Sequence, residues 1–137
     1  MKLIALCAAL VIAALALHVE KPQIASAASN GKTLFDTNCS TCHGSNGKGQ
    51  PGVFPPFAGN TDETAKDDST MIMVVLNGLN VPKKIMGKTY SGGMPAWSQL
   101  SDDDIAAILT YIRSSWGNKA APVTAKQVAA VRAKLKK

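Results

Sequence analysis

Five consecutive residues, Cys39-Ser40-Thr41-Cys42-His43, place two thiols three positions apart and a histidine directly after the second. This C-x-x-C-H spacing is typical of covalent haem attachment. Two thiols at that separation reach the two vinyl groups of one haem and form thioethers, and the adjacent histidine is then held over the ring, where it binds iron. The same cysteines could instead form a thioredoxin-like redox pair or contribute to a zinc site.

The rest of the chain favours haem over both alternatives. A redox pair requires a βαβ context, which the sequence does not predict. A structural zinc site needs further ligands, whereas Cys39, Cys42 and His43 are the only cysteines and histidine after residue 27. Aromatic residues are only 5% of the composition, so a haem would also supply apolar bulk to a small core. We therefore predict one covalently attached haem c.

A second axial ligand for the iron must come from another residue type, because no second histidine remains. Methionine is the soft, neutral alternative, and four methionines follow the amino-terminal segment. Met71 and Met73 lie in a predicted helix, where methionine usually packs in the core. Met86 lies among lysines, which indicates exposure to solvent. Met94 lies in a Gly-Gly-Met-Pro turn, and we predict it as the ligand.

Helices joined by long loops must position these residues. Apolar spacing and capping residues predict four helices. The first runs from Ser29 or Asn30 to Cys39, and the second from Asp67 to Asn77. Ser101 and Asp104 open the third and Thr124 and Gln127 open the fourth; one face of the third is apolar, with Ile105, Ile108, Leu109 and Ile112. The segments 44–60 and 81–97 are rich in glycine and proline and predict loops. The predicted fold is therefore all-α.

The amino terminus has the pattern of a cleavable secretory signal peptide, residues 1–27. Lys2 precedes an uncharged apolar run from Leu3 to Leu17, and Ala25-Ser26-Ala27 provides small residues for cleavage. An uncleaved anchor is the alternative, but fifteen helical residues span about 22 Å, less than the roughly 30 Å hydrocarbon core. We expect export to the periplasm, with any remaining membrane association only peripheral.

Positive charge is concentrated at the carboxyl terminus. The whole chain carries a formal charge of +6, yet residues 28–123 contain eight basic and eight acidic side chains. Residues 119–137 form a basic amphipathic tail, with Val128, Val131 and Leu135 on one side of its helix. Either the tail folds onto the domain of residues 28–118, or it is an arm that docks an acidic protein partner. Nucleic acid is not an expected partner of an exported protein.

Four segments, CSTCHG, PPFAG, GGMPAW and IAAILTYIR, occur in an order and at a spacing that resemble exported bacterial single-haem class I cytochromes c. The similarity extends over residues 30–118. It implies a small class I cytochrome c fold, with helices and long loops wrapped around one covalent haem. It also implies that the Pro55 carbonyl bonds to the second nitrogen of His43, and that Tyr90 and Trp97 line the haem.

The same resemblance implies a crossing of the first and last helices of the domain. Gly31 and Phe35 would pack there against Ile108 and Tyr111, and glycine would allow the two backbones to approach closely. Phe57 departs from the family, which often has leucine at this position.

These features together predict electron transfer rather than catalysis. With His43 and Met94 both bound, the iron has no open position, so the protein is expected to be a periplasmic carrier and not an enzyme. The alternative is a haem c subunit of a periplasmic or membrane-associated dehydrogenase or oxidase. A haem sensor or peroxidase would need a labile sixth ligand, and the sequence offers no distal histidine to support that function.

Overall fold

The computed structural model describes residues 21–60 and 68–135 of the 137-residue chain. Within them, five helices and one two-stranded sheet follow in the order α1 Lys21–Asn38, α2 Ser40–His43, α3 Asp68–Asn77, β1 Lys83–Ile85, β2 Lys88–Tyr90, α4 Asp102–Ser114 and α5 Ala125–Leu135. The mostly helical architecture confirms the predicted fold class. Residues 44–60 form neither a helix nor a strand, as predicted.

Helix α1 is described from Lys21, so it includes residues before Ser29 or Asn30, where the sequence predicted its start. The alanines in this stretch are strong helix formers. The helix therefore continues across the predicted cleavage position after Ala27. Residues 1–20 of the predicted signal peptide lie outside the described residues. No helix in the described ranges is both long and apolar enough to cross a membrane.

The crossing of α1 and α4 forms one side of the core, as the family resemblance implied. A Cβ atom on Gly31 would lie 2.2 Å from the Ala107 carbonyl oxygen and 3.0 Å from the Tyr111 Cβ, so only glycine allows this approach. Phe35 is fully buried one turn later, with its ring centroid 5.5 Å from Tyr111 and 5.3 Å from Trp116. The crossing thus fixes the carboxyl end of α1, directly before Cys39.

A hairpin interrupts the segment 81–97, which the sequence analysis predicted to be a loop. Strands β1 and β2 are antiparallel, with Lys83 opposite Tyr90 and Ile85 opposite Lys88. Met86 and Gly87 form the two-residue turn, with φ of 49° and 73° respectively. Two positive φ values are the requirement of a type I′ hairpin turn, which normally shows itself in sequence as Asn-Gly. The sequence signal for this hairpin was therefore weak.

Both carboxyl-terminal helices have the predicted capping interactions. The Asp104 N–H donates to Ser101 Oγ at 3.1 Å, and Ser101 Oγ donates to the Asp104 carboxylate at 2.7 Å. The Thr124 N–H donates to Gln127 Oε1 at 2.7 Å at the start of α5. Helix α4 buries Ile105, Ile108, Leu109 and Ile112 as predicted, and it ends at Ser114.

The carboxyl-terminal tail is packed against the domain. Val128 is fully buried, and Arg132 pairs with Asp102 at 2.8 Å while donating to the carbonyl oxygens of Ser98 and Leu100. Thr110 Oγ1 in α4 donates to the Val123 carbonyl at 3.1 Å and accepts from the Val123 N–H at 3.0 Å. Of the two arrangements left open by the sequence, the folded tail is therefore the one observed.

Candidate functional site

The C-x-x-C-H segment lies directly after α1 and forms a tight helical turn. The Cys39 N–H donates to the Phe35 carbonyl at 2.8 Å, which continues the hydrogen bonding of α1. The His43 N–H donates to the Cys39 carbonyl at 3.0 Å, closing the turn over α2. As a result Cys39, Cys42 and His43 all line the same cavity.

That cavity has a volume of about 490 Å³, within the range of sites that bind cofactor-sized molecules. Its walls are mostly apolar and come from every part of the domain: the α2 turn, the segment 54–57, helix α3, the loop after β2, and helix α4. Ile108, Leu109 and Ile112 of α4 form part of the wall. The α4 face that the sequence predicted as core is thus also a wall of this cavity.

The His43 side chain is buried and held on two sides. Its Nδ1 lies 3.2 Å from the Pro55 carbonyl oxygen, the contact that the family resemblance implied. If Nδ1 donates its proton to that carbonyl, Nε2 is the nitrogen left to bind a metal. Burial lowers the pKa of His43, and the hydrogen bond to Pro55 opposes that shift. A neutral imidazole is the form that binds metal ions.

The two cysteines are free thiols, and their environment argues against a redox role. Burial, and to a lesser extent the nearby Cys42, raise the pKa of Cys39 to about 11. Reactive redox cysteines have lowered pKa values, because the thiolate is their nucleophile. The chain therefore presents Cys39 as a protonated thiol at the cavity wall, as expected for attachment to a haem rather than for disulfide exchange.

The four candidate methionines have different positions relative to the cavity. Met71, Met73 and Met94 line it, whereas Met86 lies in the hairpin turn, is 46% exposed and is not among the lining residues. Arg113 Nη1 donates a hydrogen bond to the Met71 sulfur, with the two atoms 3.8 Å apart. The Met73 side chain is 44% exposed. Met94 is the half-buried cavity methionine that comes from a loop, as the sequence predicted.

The Met94 backbone is fixed by pairing with the chain that follows α3. Its carbonyl accepts from the Leu79 N–H at 2.9 Å, and its N–H donates to the Leu79 carbonyl at 3.2 Å. A Cβ atom on Gly78 would lie 2.4 Å from the Met94 carbonyl oxygen, and the φ of Gly78 is +74°. A glycine is therefore required at the end of α3 for this loop to lie where it does.

Both glycines before Met94 line the cavity, and Gly92 also contacts the segment that precedes Pro55. A Cβ atom on Gly92 would lie 2.4 Å from the Phe54 ring, and the Gly92 N–H donates to the Val53 carbonyl at 2.8 Å. The methionine loop is thereby joined to the 52–54 segment on the His43 side of the domain.

Of the two aromatic residues that the family resemblance placed at the haem, Tyr90 and Trp97, only Trp97 is among the residues that line the cavity. The Trp97 backbone N–H donates to the Val75 carbonyl at 2.9 Å, which connects it to α3. Tyr90 is buried but is not among the lining residues, so its implied contact with the haem stays a prediction. Strand β2 pairs with β1 so that Tyr90 lies opposite Lys83. The sequence did not predict this pairing.

The donor set and the apolar cavity fit a covalently held haem. Two thiols and an imidazole with one nitrogen occupied lie on the same apolar cavity as a thioether from a distant loop. Thioether and imidazole are suitable axial ligands for haem iron, and apolar walls suit the flat ring.

Comparison with known proteins agrees with this fit, because the family model for cytochrome c matches residues 28–116. The chain belongs to the cytochrome c family. Membership establishes that this cytochrome binds haem c covalently and that its function is electron transfer. It also confirms the resemblance to single-haem class I cytochromes that the four motifs predicted.

Relatives of this cytochrome include a cytochrome c-552 and cytochrome subunits of a dehydrogenase and an oxidase. Cytochrome c-552 of Thermus thermophilus is 38% identical over 119 residues, which are 81% of this chain and 80% of the relative. The cytochrome c subunit of the quinone alcohol dehydrogenase of Gluconacetobacter polyoxogenes is 34% identical over 104 residues, 74% of this chain but 22% of the subunit. The cbb3-type oxidase subunit CcoP of Azospirillum brasilense is 33% identical over 101 residues, 69% of this chain and 30% of the subunit.

Two residues at the site were not predicted to act there. The Phe57 ring is stacked on the His43 imidazole with centroids 4.3 Å apart, although the sequence marked it only as a departure from leucine. Asn118, which the sequence marked only as the end of the predicted domain, is buried and donates to the Phe57 carbonyl at 3.2 Å. Neither contact has a local sequence signal, because each joins segments distant in the chain.

Proposed function

We propose that this cytochrome is a periplasmic electron carrier in which Cys39 and Cys42 attach the haem, and His43 and Met94 bind its iron. The observation that carries the proposal is that all four side chains line one apolar cavity. When bound, the haem supplies a one-electron iron couple. The chain supplies an imidazole held by Pro55, a thioether on a backbone segment that is paired with Leu79, and mostly apolar walls around both.

Two filled axial positions leave no place for a substrate on the metal, so we propose that the protein is not an enzyme. Export is supported by the pattern of residues 1–27, which predicts a cleavable signal peptide and a periplasmic location. Covalent attachment through two cysteines suits that location as well, because the haem cannot dissociate from an exported protein.

Carbon monoxide tests the carrier function directly. We expect the reduced holoprotein to leave its Soret band unchanged under carbon monoxide at neutral pH, because Met94 occupies the sixth position. Reduced protein that binds the gas stoichiometrically would have a labile ligand. That result would favour a sensor or peroxidase and contradict the carrier proposal.

A subunit function is the second candidate, and the similarity to dehydrogenase and oxidase subunits favours it. The free carrier is preferred because the cytochrome c-552 relative is matched over 80% of its own length, whereas the alcohol dehydrogenase subunit is matched over 22%. Gentle purification from the native periplasm separates the two functions. A carrier elutes alone at the size of one chain, and a subunit elutes with a larger redox enzyme.

We propose further that an acidic partner docks at the hairpin rather than at the tail. Lys83 and Lys84 are exposed and line the cavity, and Lys88 is exposed on the paired strand. In the tail, Arg132 is engaged with Asp102 and with two backbone carbonyls. Positive charge at the cavity edge is therefore nearest to the group that exchanges electrons, where it would steer encounter most strongly.

Paired charge removals test this docking face. We expect Lys83→Gln with Lys84→Gln to slow oxidation of the reduced protein by the hexacyanoferrate(III) anion several-fold at low ionic strength. The difference should shrink toward roughly 0.15 M salt, where screening acts over about 8 Å. Lys126→Gln with Lys134→Gln removes the same charge from the exposed side of α5 and should have little effect. If the tail variant slows the reaction as much as the hairpin variant, the docking face is wrongly assigned.

A further inference from the structure

The segment 55–57 touches the His43 imidazole at two points. The Pro55 carbonyl contacts Nδ1 at its edge, at 3.2 Å, and the Phe57 ring covers one face. The stacked centroids are 4.3 Å apart and the planes are inclined by 29°. Phe54 is the other aromatic ring near His43, but its centroid is 6.3 Å away and its plane is tilted by 52°.

These two contacts restrict different motions of the imidazole. A hydrogen bond to Nδ1 fixes the direction in which the opposite nitrogen points, but it tolerates rotation of the ring plane about that direction. A ring stacked on the imidazole face opposes that rotation, because rotation would either break the stack or drive the two rings into each other. The plane of His43 is therefore defined by Phe57 and not by Pro55 alone.

Phe57 itself is held by contacts from three directions. Its N–H donates to the Gly47 carbonyl at 2.7 Å, and its carbonyl accepts from Asn118 Nδ2 at 3.2 Å. The same Asn118 nitrogen donates to the Ile112 carbonyl at 2.9 Å, so it ties Phe57 to the end of α4. The Phe57 ring also meets the edge of Phe35, with centroids 6.3 Å apart. A ring held in this way can transmit a fixed orientation to its neighbour.

We propose that Phe57 is a positioning residue that sets the plane of the His43 imidazole, with Asn118 anchoring it to α4. The inference rests on the proposed function, in which His43 binds the haem iron. The orientation of an axial imidazole plane determines how unpaired electron density is distributed over the ring of a ferric haem. A leucine at position 57 would fill the space but could not stack on the imidazole.

The test uses Phe57→Leu in the haem-loaded protein, read by proton NMR of the oxidised form and by potentiometry. We expect the hyperfine-shifted haem methyl resonances to change in order or spread, and the midpoint potential to fall as the imidazole face becomes more accessible to water. Phe57→Tyr retains the stacked ring and should keep both readouts near wild type. Tyr111→Leu removes a ring that contacts Phe35 and Trp116 but has no ring contact with Phe57 or His43 among the described residues, and it should lower stability without moving the methyl resonances.

Two results would overturn the inference. One is a Phe57→Leu protein whose methyl shifts and potential equal those of wild type; the other is a Tyr111→Leu protein that changes them equally. If Phe57→Leu does not retain haem, Phe57→Met, a flexible side chain without a ring, takes its place in the same comparison. Failure of the proposed ligation is seen separately, because wild type itself would then lack the low-spin histidine–methionine spectrum.

Discussion

Replacing Met94 with alanine should abolish the weak sulfur-to-iron charge-transfer band of the oxidised protein and open the reduced iron to carbon monoxide. The midpoint potential should fall on the order of 0.1 V, a fraction of the roughly 0.8 V range that axial ligands set. The reason is that a neutral, soft thioether favours Fe(II) over Fe(III), and the water or hydroxide that would replace it does not.

Two other methionines provide matched controls for this result. Met73 also lines the cavity but is 44% exposed, and Met86 lies in the hairpin turn away from it. Met73→Ala and Met86→Ala should therefore both retain the band and the potential. If either of them abolishes the band while Met94→Ala retains it, the axial ligand is assigned to the wrong loop.

The sequence predicted the parts of this protein that depend on short-range chemistry. The C-x-x-C-H motif indicated the cofactor because the vinyl groups of haem impose the spacing of the two thiols. The caps of α4 and α5 were predicted because each joins residues three positions apart, Ser101 with Asp104 and Thr124 with Gln127. Met94 was selected by elimination among few residues, and its position at the cavity supports that choice.

The parts that were missed depend on contacts between distant segments. The tail could have been folded or free, because the partners that fix it are Asp102, Ser98 and Leu100, thirty or more residues before Arg132. The basic residues of the tail were as compatible with a solvated arm as with a helix folded onto the domain. The stacking of Phe57 on His43 has no sequence signal either, because it depends on the conformation of the loop between the two residues.

The hairpin was missed for a different reason, which is the chemistry of its turn. Met86 adopts a positive φ, a conformation that residues other than glycine, asparagine and aspartate adopt rarely. Two lysines in β1 and one in β2 also gave the segment the polarity of a loop. The missed pairing includes a residue that the family resemblance assigned to the haem, because Tyr90 is the buried last residue of β2.

Replacing both Cys39 and Cys42 with alanine should leave a protein that loses its colour in acidified acetone and, prepared without haem, has little helical circular dichroism. The cavity explains the size of this effect. Without the ring the apolar walls of this cavity would be exposed to water, whereas buried apolar surface contributes roughly 25 cal/mol per Å² to folding. Since domains of this size are stable by only about 5–15 kcal/mol, we expect the loss of that burial to make the walls collapse or unfold.

Collapse is opposed by the way in which the walls are built. Helix α4 contributes Ile108, Leu109 and Ile112 to the cavity while its other side is fixed against α1 at Gly31. It cannot move inward without losing that crossing, so we expect the cooperative structure to be lost as a whole. Thr41→Ala is the matched control, because Thr41 is exposed between the two cysteines and should leave both haem retention and helix content unchanged. A double-alanine protein that still unfolds cooperatively from a helical state would show that the α1–α4 crossing alone sustains the fold, and that the haem adds function without being required for folding.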